Sequence, residues 1–200
     1  ALSDVFVVDR SSGATSRVSV STAGVQANGE SGAPAISPDG RYVTFWSSAS
    51  NLVASDTNNA TDVFVRDRQT GTTQRVSIGG TSTQANGDSP WLGDASGVSA
   101  DGRYVVFSAV ATNLVTGDTN GIADVFIRDR TLNTTTRLSV STSGAQATGT
   151  SGSMSPRITP DGRYIAFSSD ATNLIAGDTN SDRDAFRRDR TTSTTIRVSL

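Results

Sequence analysis

The stretch Ser99–Arg130, SADGRYVVFSAVATNLVTGDTNGIADVFIRDR, decides the fold because it recurs along the chain. Thr159–Arg190 repeats it without a gap and is identical at nineteen of thirty-two positions. Ser37–Arg68 is an earlier copy, and Ser3–Arg10 matches the end of a fourth. Successive copies are spaced by 58, 62 and 60 residues. A fixed period of this size predicts one array of stacked structural repeats across residues 1–200.

The composition indicates an all-β protein. The 200 residues include no Lys and a single Glu, Glu30, so the usual helix formers of exposed surfaces are missing. The chain has seventeen Arg residues and nineteen acidic residues, which gives a net charge of −2, and the Arg residues are scattered along the sequence. We therefore expect no nucleic-acid partner. The apolar runs are too short for a bilayer, so no membrane insertion is expected.

Each full unit breaks into four strand candidates, A to D, separated by turn-forming residues. In the first full unit these are Ala33–Ser37, Arg41–Trp46, Asp62–Arg66 and Thr73–Ile78. Their counterparts are Ala95–Ser99, Arg103–Ser108, Asp124–Arg128 and Thr135–Val140, then Ser155–Thr159, Arg163–Ser168, Asp184–Arg188 and Thr195–Leu200, with Asp4–Val8 and Ser16–Val20 at the start. Strands A and B are joined by Pro38-Asp39-Gly40, a tight turn in which Pro presets φ and Gly accepts φ > 0.

Two connections in each unit are long. Strands B and C are joined by Ser47–Thr61, and strand D leads to the next strand A through Gly79–Gly93. In an up-and-down sheet these connections fall at the same end of the strands, so we expect function on this long-loop face.

The Pro-Asp-Gly-Arg-Tyr turn, the following Val-x-Phe and the Asp-Val-Phe-Val-x-Asp strand resemble the TolB-type β-propeller repeat over the whole chain. The resemblance implies four-stranded antiparallel blades, with strand A nearest the axis. It also implies a bacterial, extracytoplasmic (periplasmic or secreted) protein that engages protein partners. On this basis the chain holds about three and a half blades: a half blade at 1–20 and full blades at 31–78, 93–140 and 153–200.

Propellers usually need four to eight blades to close. Three and a half blades leave unpaired sheet edges. Two alternatives therefore stay open: the chain is a piece of a longer propeller, or it forms a homo-oligomer with irregular seams.

A recurring Asp-Thr-Asn-x-x-x-Asp pattern is the candidate metal site. It places oxygen ligands at Asp56, Asn58 and Asp62; at Asp118, Asn120 and Asp124; and at Asp178, Asn180 and Asp184. Hard oxygen ligands at this spacing resemble half of a calcium loop. The EF-hand glycine is missing, and the Asp at position 12, such as Asp67, is carried away from the site by strand C. The alternative is that these residues form Asx turns that cap the loop's own amides.

Trp91 is the candidate ligand-binding residue, because it lies in the longest connection between units as Pro90-Trp91-Leu92. A Trp there can stack on a sugar or anchor a protein partner. The alternative is that it folds over neighbouring blades.

Common catalytic constellations are missing from the composition. The chain has no His, Lys or Cys, which removes the Ser-His-Asp triad, the Schiff-base lysine and thiol chemistry. The recurring Asp-Arg pairs that end strand C, such as Asp67-Arg68, point to opposite faces. We expect each member to reach strand D or the next blade.

The sequence therefore predicts a non-catalytic extracytoplasmic propeller that binds a protein or glycan on its long-loop face. A second hypothesis is a calcium-stabilised, carbohydrate-binding propeller. A third is the propeller portion of a hydrolase.

Overall fold

The computed structural model describes residues 2–89, 94–149, 152–180 and 182–199, and in these ranges the chain forms strands, turns and loops without a helix. The strands are rich in Val, Ile, Phe and Thr, which pack well on a pleated surface. In chain order they are β1 Phe6–Val8, β2 Thr15–Arg17, β3 Ser31–Ile36, β4 Tyr42–Ser47, β5 Asp62–Asp67, β6 Thr72–Arg75, β7 Ile78–Gly79, β8 Thr83–Gln84, β9 Gly97–Val98, β10 Tyr104–Ala109, β11 Asp124–Asp129, β12 Thr134–Arg137, β13 Ser153–Ile158, β14 Tyr164–Ser169, β15 Asp184–Asp189 and β16 Thr194–Arg197.

Each repeat unit forms one antiparallel sheet. Three sheets have four strands in sequence order, β3 to β6, β9 to β12 and β13 to β16, and we call them blades 1, 2 and 3. Strands β1 and β2 form a two-stranded half blade that corresponds to the last two strands of a full blade. The predicted all-β arrangement of four-stranded antiparallel units is confirmed.

The strand register fixes which connections share an end of the blade. In blade 1, Tyr42 pairs with Asp67 at one end, and Ser47 pairs with Asp62 at the other. The same register recurs in blades 2 and 3. The long connections therefore leave from the Asp62 end, and the short turns lie at the Asp67 end. We keep the names long-loop face and short-turn face for these two ends.

The short turn between the first two strands is closed by its own side chains. Asp39 accepts the backbone N–H of Arg41 at 3.0 Å and the hydroxyl of Ser37 at 2.5 Å. Gly40 adopts a φ of 74°, in the left-handed region that glycine enters without a steric cost. The Asp-Gly pair therefore sets the turn and the register of the two strands beside it.

The hydrophobic cores lie between blades. One core joins the half blade to blade 1, a second joins blade 1 to blade 2, and a third joins blade 2 to blade 3. Within each blade the second and third strands stack a Phe pair, with ring centroids 5.9, 5.9 and 5.7 Å apart in blades 1, 2 and 3. Strands with apolar residues on both faces, such as β11, are thus buried on both sides.

The strand boundaries depart from the sequence prediction mainly in the first and last strand of each blade. Strand β6 ends at Arg75 rather than Ile78, because the chain leaves the sheet and forms the small hairpin β7–β8. This hairpin contacts the next blade, where the Thr135 hydroxyl donates to the Ile78 carbonyl at 2.5 Å. In blade 2 the predicted first strand is reduced to β9.

Candidate functional site

The candidate metal residues of blade 1 do converge on the long-loop face, and an arginine lies between their carboxylates. Arg75, the last residue of β6, places Nη1 2.7 Å from Asp56 Oδ1 and 2.9 Å from Asp62 Oδ2. The Ser77 hydroxyl donates to the other oxygen of Asp62 at 2.5 Å. The guanidinium therefore supplies the positive charge that the sequence prediction assigned to calcium.

Asn58 forms an Asx turn and also supports the carboxylate. Its Oδ1 accepts the N–H of Ala60 at 3.3 Å, and its Nδ2 donates to Asp62 Oδ2 at 3.1 Å. The same Nδ2 donates to the Ala85 carbonyl at 3.1 Å, which ties this loop to the connection that follows strand β6. The alternative prediction of Asx turns describes this geometry directly.

The same cluster recurs along the array with the same partners. In blade 2, Arg137 Nη1 is 3.0 Å from Asp118 and 3.4 Å from Asp124. In blade 3, Arg197 Nη1 is 3.1 Å from Asp178 and 3.2 Å from Asp184. The Asx turns at Asn120 and Asn180 accept the N–H groups of Ile122 and Asp182. In the half blade Arg17 lies 3.4 Å from Asp4.

Burial changes the acidity of these carboxyls from blade to blade. Burial raises the pKa of Asp62 and of Asp124 above the ordinary value, although hydrogen bonds from serine and arginine oppose it. In blade 3 the hydrogen bond from Ser199 holds the pKa of Asp184 below the ordinary value. The same side chains thus have opposite shifts because blade 3 lies at the edge of the array.

No group of three His, Cys, Asp or Glu side chains placed to hold a metal occurs in the described ranges. In each cluster two carboxylates face one guanidinium, so a cation would have to displace the arginine. Calcium binding at Asp56, Asp118, Asp178 and their partners stays a prediction, with arginine as the competing cation.

A polar cavity of about 270 Å³ opens beside the blade 1 cluster. Asp56 and Asp88 line it together with Ser48, Ser50 and Thr61. Asp88 accepts the N–H of Thr61 at 2.9 Å, so its carboxylate already orders the loop wall. The cavity is the concave part of the long-loop face that offers carboxylate and hydroxyl oxygens to a ligand.

Sequence reasoning missed a ladder of asparagines that locks the long loops together. Asn28 Nδ2 donates to the Ser50 hydroxyl at 3.1 Å, and Ser50 N–H donates back to Asn28 Oδ1 at 2.9 Å. Asn51 accepts the N–H of Asn28 at 3.0 Å and donates to the Gln26 carbonyl at 2.8 Å. The signal was present in the recurring Gln-Ala-Asn-Gly and Ala-Ser/Thr-Asn-Leu stretches.

This asparagine ladder repeats at the next two seams. Asn86 and Asn113 reproduce it between blades 1 and 2. Between blades 2 and 3, Thr148 takes the place of the first asparagine and Asn173 keeps its two bonds. Within the described residues, each connection between blades is thereby hydrogen-bonded to the B–C loop of the following blade.

The Asp-Arg pairs on the short-turn face have partners that differ from the prediction. Asp67 receives both arms of Arg41, at the start of β4 in the same blade, with Nη2 2.7 Å from Oδ2. This bond to Arg41 lowers the pKa of Asp67 well below its usual range. The expectation that the aspartate reaches strand D or the next blade is therefore wrong.

Arg68 and its counterparts reach the adjacent short turn instead. Arg130 Nη1 donates to the Gly102 carbonyl, and its guanidinium lies 5.5 Å from the ring of Tyr42 in the preceding blade. Arg190 does the same with the Gly162 carbonyl and Tyr104, at 3.9 Å from the ring. Arg130 and Arg190 are thus contacts between blades, whereas Arg68 donates to the Gly40 carbonyl of its own blade. The paired aspartates make their contacts within a blade.

Trp91, the predicted ligand-binding residue, lies outside the described residues. No helix within the described ranges has the length and hydrophobicity that a bilayer crossing requires.

Blades of four antiparallel strands, packed face to face through apolar cores, define a partial β-propeller. Among solved structures the chain is similar to TolB from Acinetobacter baumannii, with a TM-score of 0.58 and 19% identity over 98% of this chain and 37% of that one. It is also similar to a putative TolB from Agrobacterium tumefaciens, with a TM-score of 0.53 and 17% identity over 94% of this chain and 51% of that one. The predicted TolB-like propeller fold is confirmed.

The fold is shared with enzymes as well. A prolyl endopeptidase structure matches with a TM-score of 0.57 and 13% identity, over 98% of this chain and 26% of that chain. The chain spans roughly a third to a half of the TolB structures it matches. No family model matches the sequence. No curated protein matches it by sequence either.

Proposed function

We propose that the chain is a non-catalytic, extracytoplasmic propeller module that binds a protein partner through its long-loop face. The asparagine ladder carries this proposal. Binding surfaces that are ordered in advance lose less conformational entropy on association. At three successive seams an asparagine of the B–C loop accepts the same backbone N–H from the preceding connection, which supports a face that is ordered before binding.

The side-chain chemistry of the loop face supports binding rather than catalysis. Its recurring carboxylates are committed to arginine ion pairs and to loop amides. A catalytic acid or base needs a group that exchanges protons with a substrate. The likeness to TolB structures supports an extracytoplasmic location.

The absence of cysteine makes a positional test straightforward. Ala54→Cys labels an exposed site on the long-loop face, and Thr131→Cys labels an exposed site on the short-turn face. Each variant carries a photocrosslinker and is exposed to a bacterial envelope extract. We expect a discrete adduct from position 54 and none from position 131. Equal labelling at both positions, or labelling at position 131 alone, contradicts the proposal.

A calcium-stabilised, glycan-binding propeller is the second candidate, favoured by the cavity that Asp56 and Asp88 line. Isothermal calorimetry of chelator-treated protein with calcium tests the metal. Heat and a thermal shift that disappear in Asp56→Asn support it. Calcium binding that appears only after Arg75→Gln shows instead that arginine is the native cation. A glycan array then distinguishes a sugar ligand from a protein partner.

The propeller portion of a hydrolase is the third candidate, favoured by the likeness to a prolyl endopeptidase structure. This candidate requires a catalytic domain in the same protein. The length of the native coding sequence decides it.

A further inference from the structure

The seam between neighbouring blades has a tyrosine on one side and a glycine on the other. Tyr42 of blade 1 packs so closely over Gly102 of blade 2 that a Cβ added there would lie 2.4 Å from the ring. Tyr104 packs over Gly162 of blade 3 in the same way, at 2.5 Å. Because each ring also faces the Arg130 or Arg190 guanidinium, the seam is a specific tyrosine socket.

Blade 1 carries the same socket on its outer side, built from Gly40 and Arg68. There a Cβ on Gly40 would meet only the guanidinium of Arg68, at 3.7 Å. A cavity of about 360 Å³ lies at this place, lined by Asp39, Gly40, Arg41, Arg68 and Gln69. Arg68 is exposed, whereas its counterparts Arg130 and Arg190 are partly buried. The cavity therefore has the walls of a seam that accepts a tyrosine ring.

The half blade beside this socket exposes apolar side chains that the full blades bury. Phe6 is 49% exposed, whereas its counterparts Phe64 and Phe126 are 0% exposed. Ile36, on the first strand of blade 1, is 50% exposed, whereas its counterpart Val98 is 8% exposed. Within the described residues, strand β1 pairs only with β2, so its other edge presents unpaired backbone groups.

Asp9, at the end of β1, offers a matching charge. In each full blade the corresponding aspartate binds both arms of an arginine that begins the second strand. The hydrogen bonds to the Asp9 carboxylate come from Ser11 and Ser12 and reach Oδ1. Asp67 accepts the N–H groups of Gln69 and Thr70 in the same way while it binds Arg41, so Asp9 occupies the position that pairs with such an arginine.

We propose that this edge binds a β-hairpin whose turn carries Asp-Gly-Arg-Tyr and whose second strand has a Phe three residues after the Tyr. The hairpin adds as the first two strands of the half blade, a β-augmentation in which backbone pairing supplies affinity and side-chain pockets supply specificity. Its Tyr enters the socket of Gly40 and Arg68, and its Phe stacks on Phe6. Its Arg binds Asp9.

The register of the intact blades fixes this arrangement. In blade 1 the second strand pairs Tyr42 with Asp67 and Phe45 with Phe64. Transferred to β1, the same register pairs the incoming Tyr with Asp9 and the incoming Phe with Phe6. A second copy of the chain is a poorer occupant, because each hairpin of this kind in the described ranges is already paired within its own blade.

A fused hairpin tests the proposal without relying on a short isolated peptide, which would be marginally stable. The sequence of residues 153–169 is placed before Ala1 through a Gly/Ser linker as long as the natural connection 48–61. Fusion raises the local hairpin concentration to about the millimolar range. We expect the melting temperature to rise by at least about 4 °C. The amides of β1 should also gain protection from hydrogen exchange.

Matched variants distinguish specific binding of the hairpin at the socket from a general stabilisation of the chain by the fusion. Replacing the Tyr of the fused hairpin by Ala, or Gly40→Asn in the chain, should remove at least half of the rise. Asn tolerates the left-handed backbone of Gly40 but fills the socket. Gly117→Asn has a similar φ of 75° and open space around it, so it should leave the rise unchanged.

Three outcomes overturn the proposal. The first is no rise in melting temperature and no protection of β1. The second is a rise that is insensitive to both the Tyr and the Gly40 changes. The third is a dimer of the unfused chain that Gly40→Asn dissociates, since this would make a second copy the occupant of the edge.

Discussion

The two ends of the array are built on the same repeat, yet they present opposite chemistry. The first end exposes Phe6 and Ile36, side chains whose counterparts are buried between blades. On the outer face of blade 3, Arg157 and Arg187 occupy the register positions that Gly97 and Ile127 hold in blade 2. The first end is therefore apolar, whereas the other end places arginines beside the exposed Ile196 and Val198.

The difference shows which positions of the repeat vary between blades 2 and 3. The motif residues Asp-Gly-Arg-Tyr are kept in blade 3, so its internal turn is unchanged. Residues that would face a further blade have changed, such as Gly97 to Arg157 and Ile127 to Arg187, and Arg187 lies 4.9 Å from the Tyr164 ring of its own blade.

The largest expected effect comes from deleting one aromatic ring at an interior seam and at the open edge. Phe126→Ala removes a fully buried ring and should lower the free energy of unfolding by about 3–5 kcal/mol. Phe6→Ala removes a half-exposed ring and should cost less than about 1 kcal/mol. Urea denaturation measures both. Equal losses at the two positions would mean that the edge is as well packed as the interior.

A second, smaller contrast comes from filling the two glycine sites. Gly102→Asn places a side chain against the Tyr42 ring, and overpacking of this kind costs about 1–3 kcal/mol. Gly40→Asn has nearly the same φ but no ring to meet. We expect it to change the unfolding free energy by less than about 0.5 kcal/mol. Thermal melts of the two variants at one pH test this, and a larger loss at Gly40 would contradict the open socket.

The strand rhythm could be predicted from the sequence because its signals are local. The Asp-Gly turn before Tyr42 and the apolar residues of β5 each lie within a few residues. Strand ends were less predictable. Strand β6 ends early because the chain turns toward the next blade, which is a contact between units that no local pattern records.

Only part of the candidate site could be predicted from the sequence. The spacing of Asp56, Asn58 and Asp62 correctly indicated that these groups converge. It could not reveal Arg75 as their cation, because that contact depends on the pairing of Phe64 with Arg75 across two strands. The socket of Gly40 and Arg68 was missed for the same reason, since it is visible only by comparison with occupied seams.

The next expected effect is the pH dependence of the Arg41–Asp67 pair on the short-turn face. Hydrogen bonds from Arg41 lower the pKa of Asp67 below its unfolded value. A carboxyl whose pKa is lower in the folded protein stabilises the fold at pH values above its unfolded pKa. This stabilisation is lost as the pH falls toward its folded pKa. Arg41→Gln should therefore lower the urea midpoint modestly at pH 7, since Arg41 is partly exposed and solvent screens its charge.

The direction of this pH dependence can be tested against a control variant. The difference between Arg41→Gln and the unmodified chain should narrow as the pH is lowered from about 5 toward 2. Arg10→Gln, which removes an exposed arginine with no ion pair in the described ranges, should show little change over the same interval. Urea midpoints measured across this pH range test both. A gap that widens in acid would contradict the assignment.

The smallest expected change in stability comes from making the basic end resemble the interior. Arg187→Ile introduces the residue that blade 2 has at the equivalent position, Ile127. Because position 187 is partly exposed, the unfolding free energy should change by less than about 0.5 kcal/mol. Its effect should appear in association, because an apolar row would now face solvent beside Val198, which is 50% exposed. Sedimentation velocity should show concentration-dependent self-association of this variant and not of Arg187→Gln. If the two variants sediment alike, Arg187 does not prevent this face from associating. The two ends of the array would then differ in side-chain packing and not in their tendency to associate.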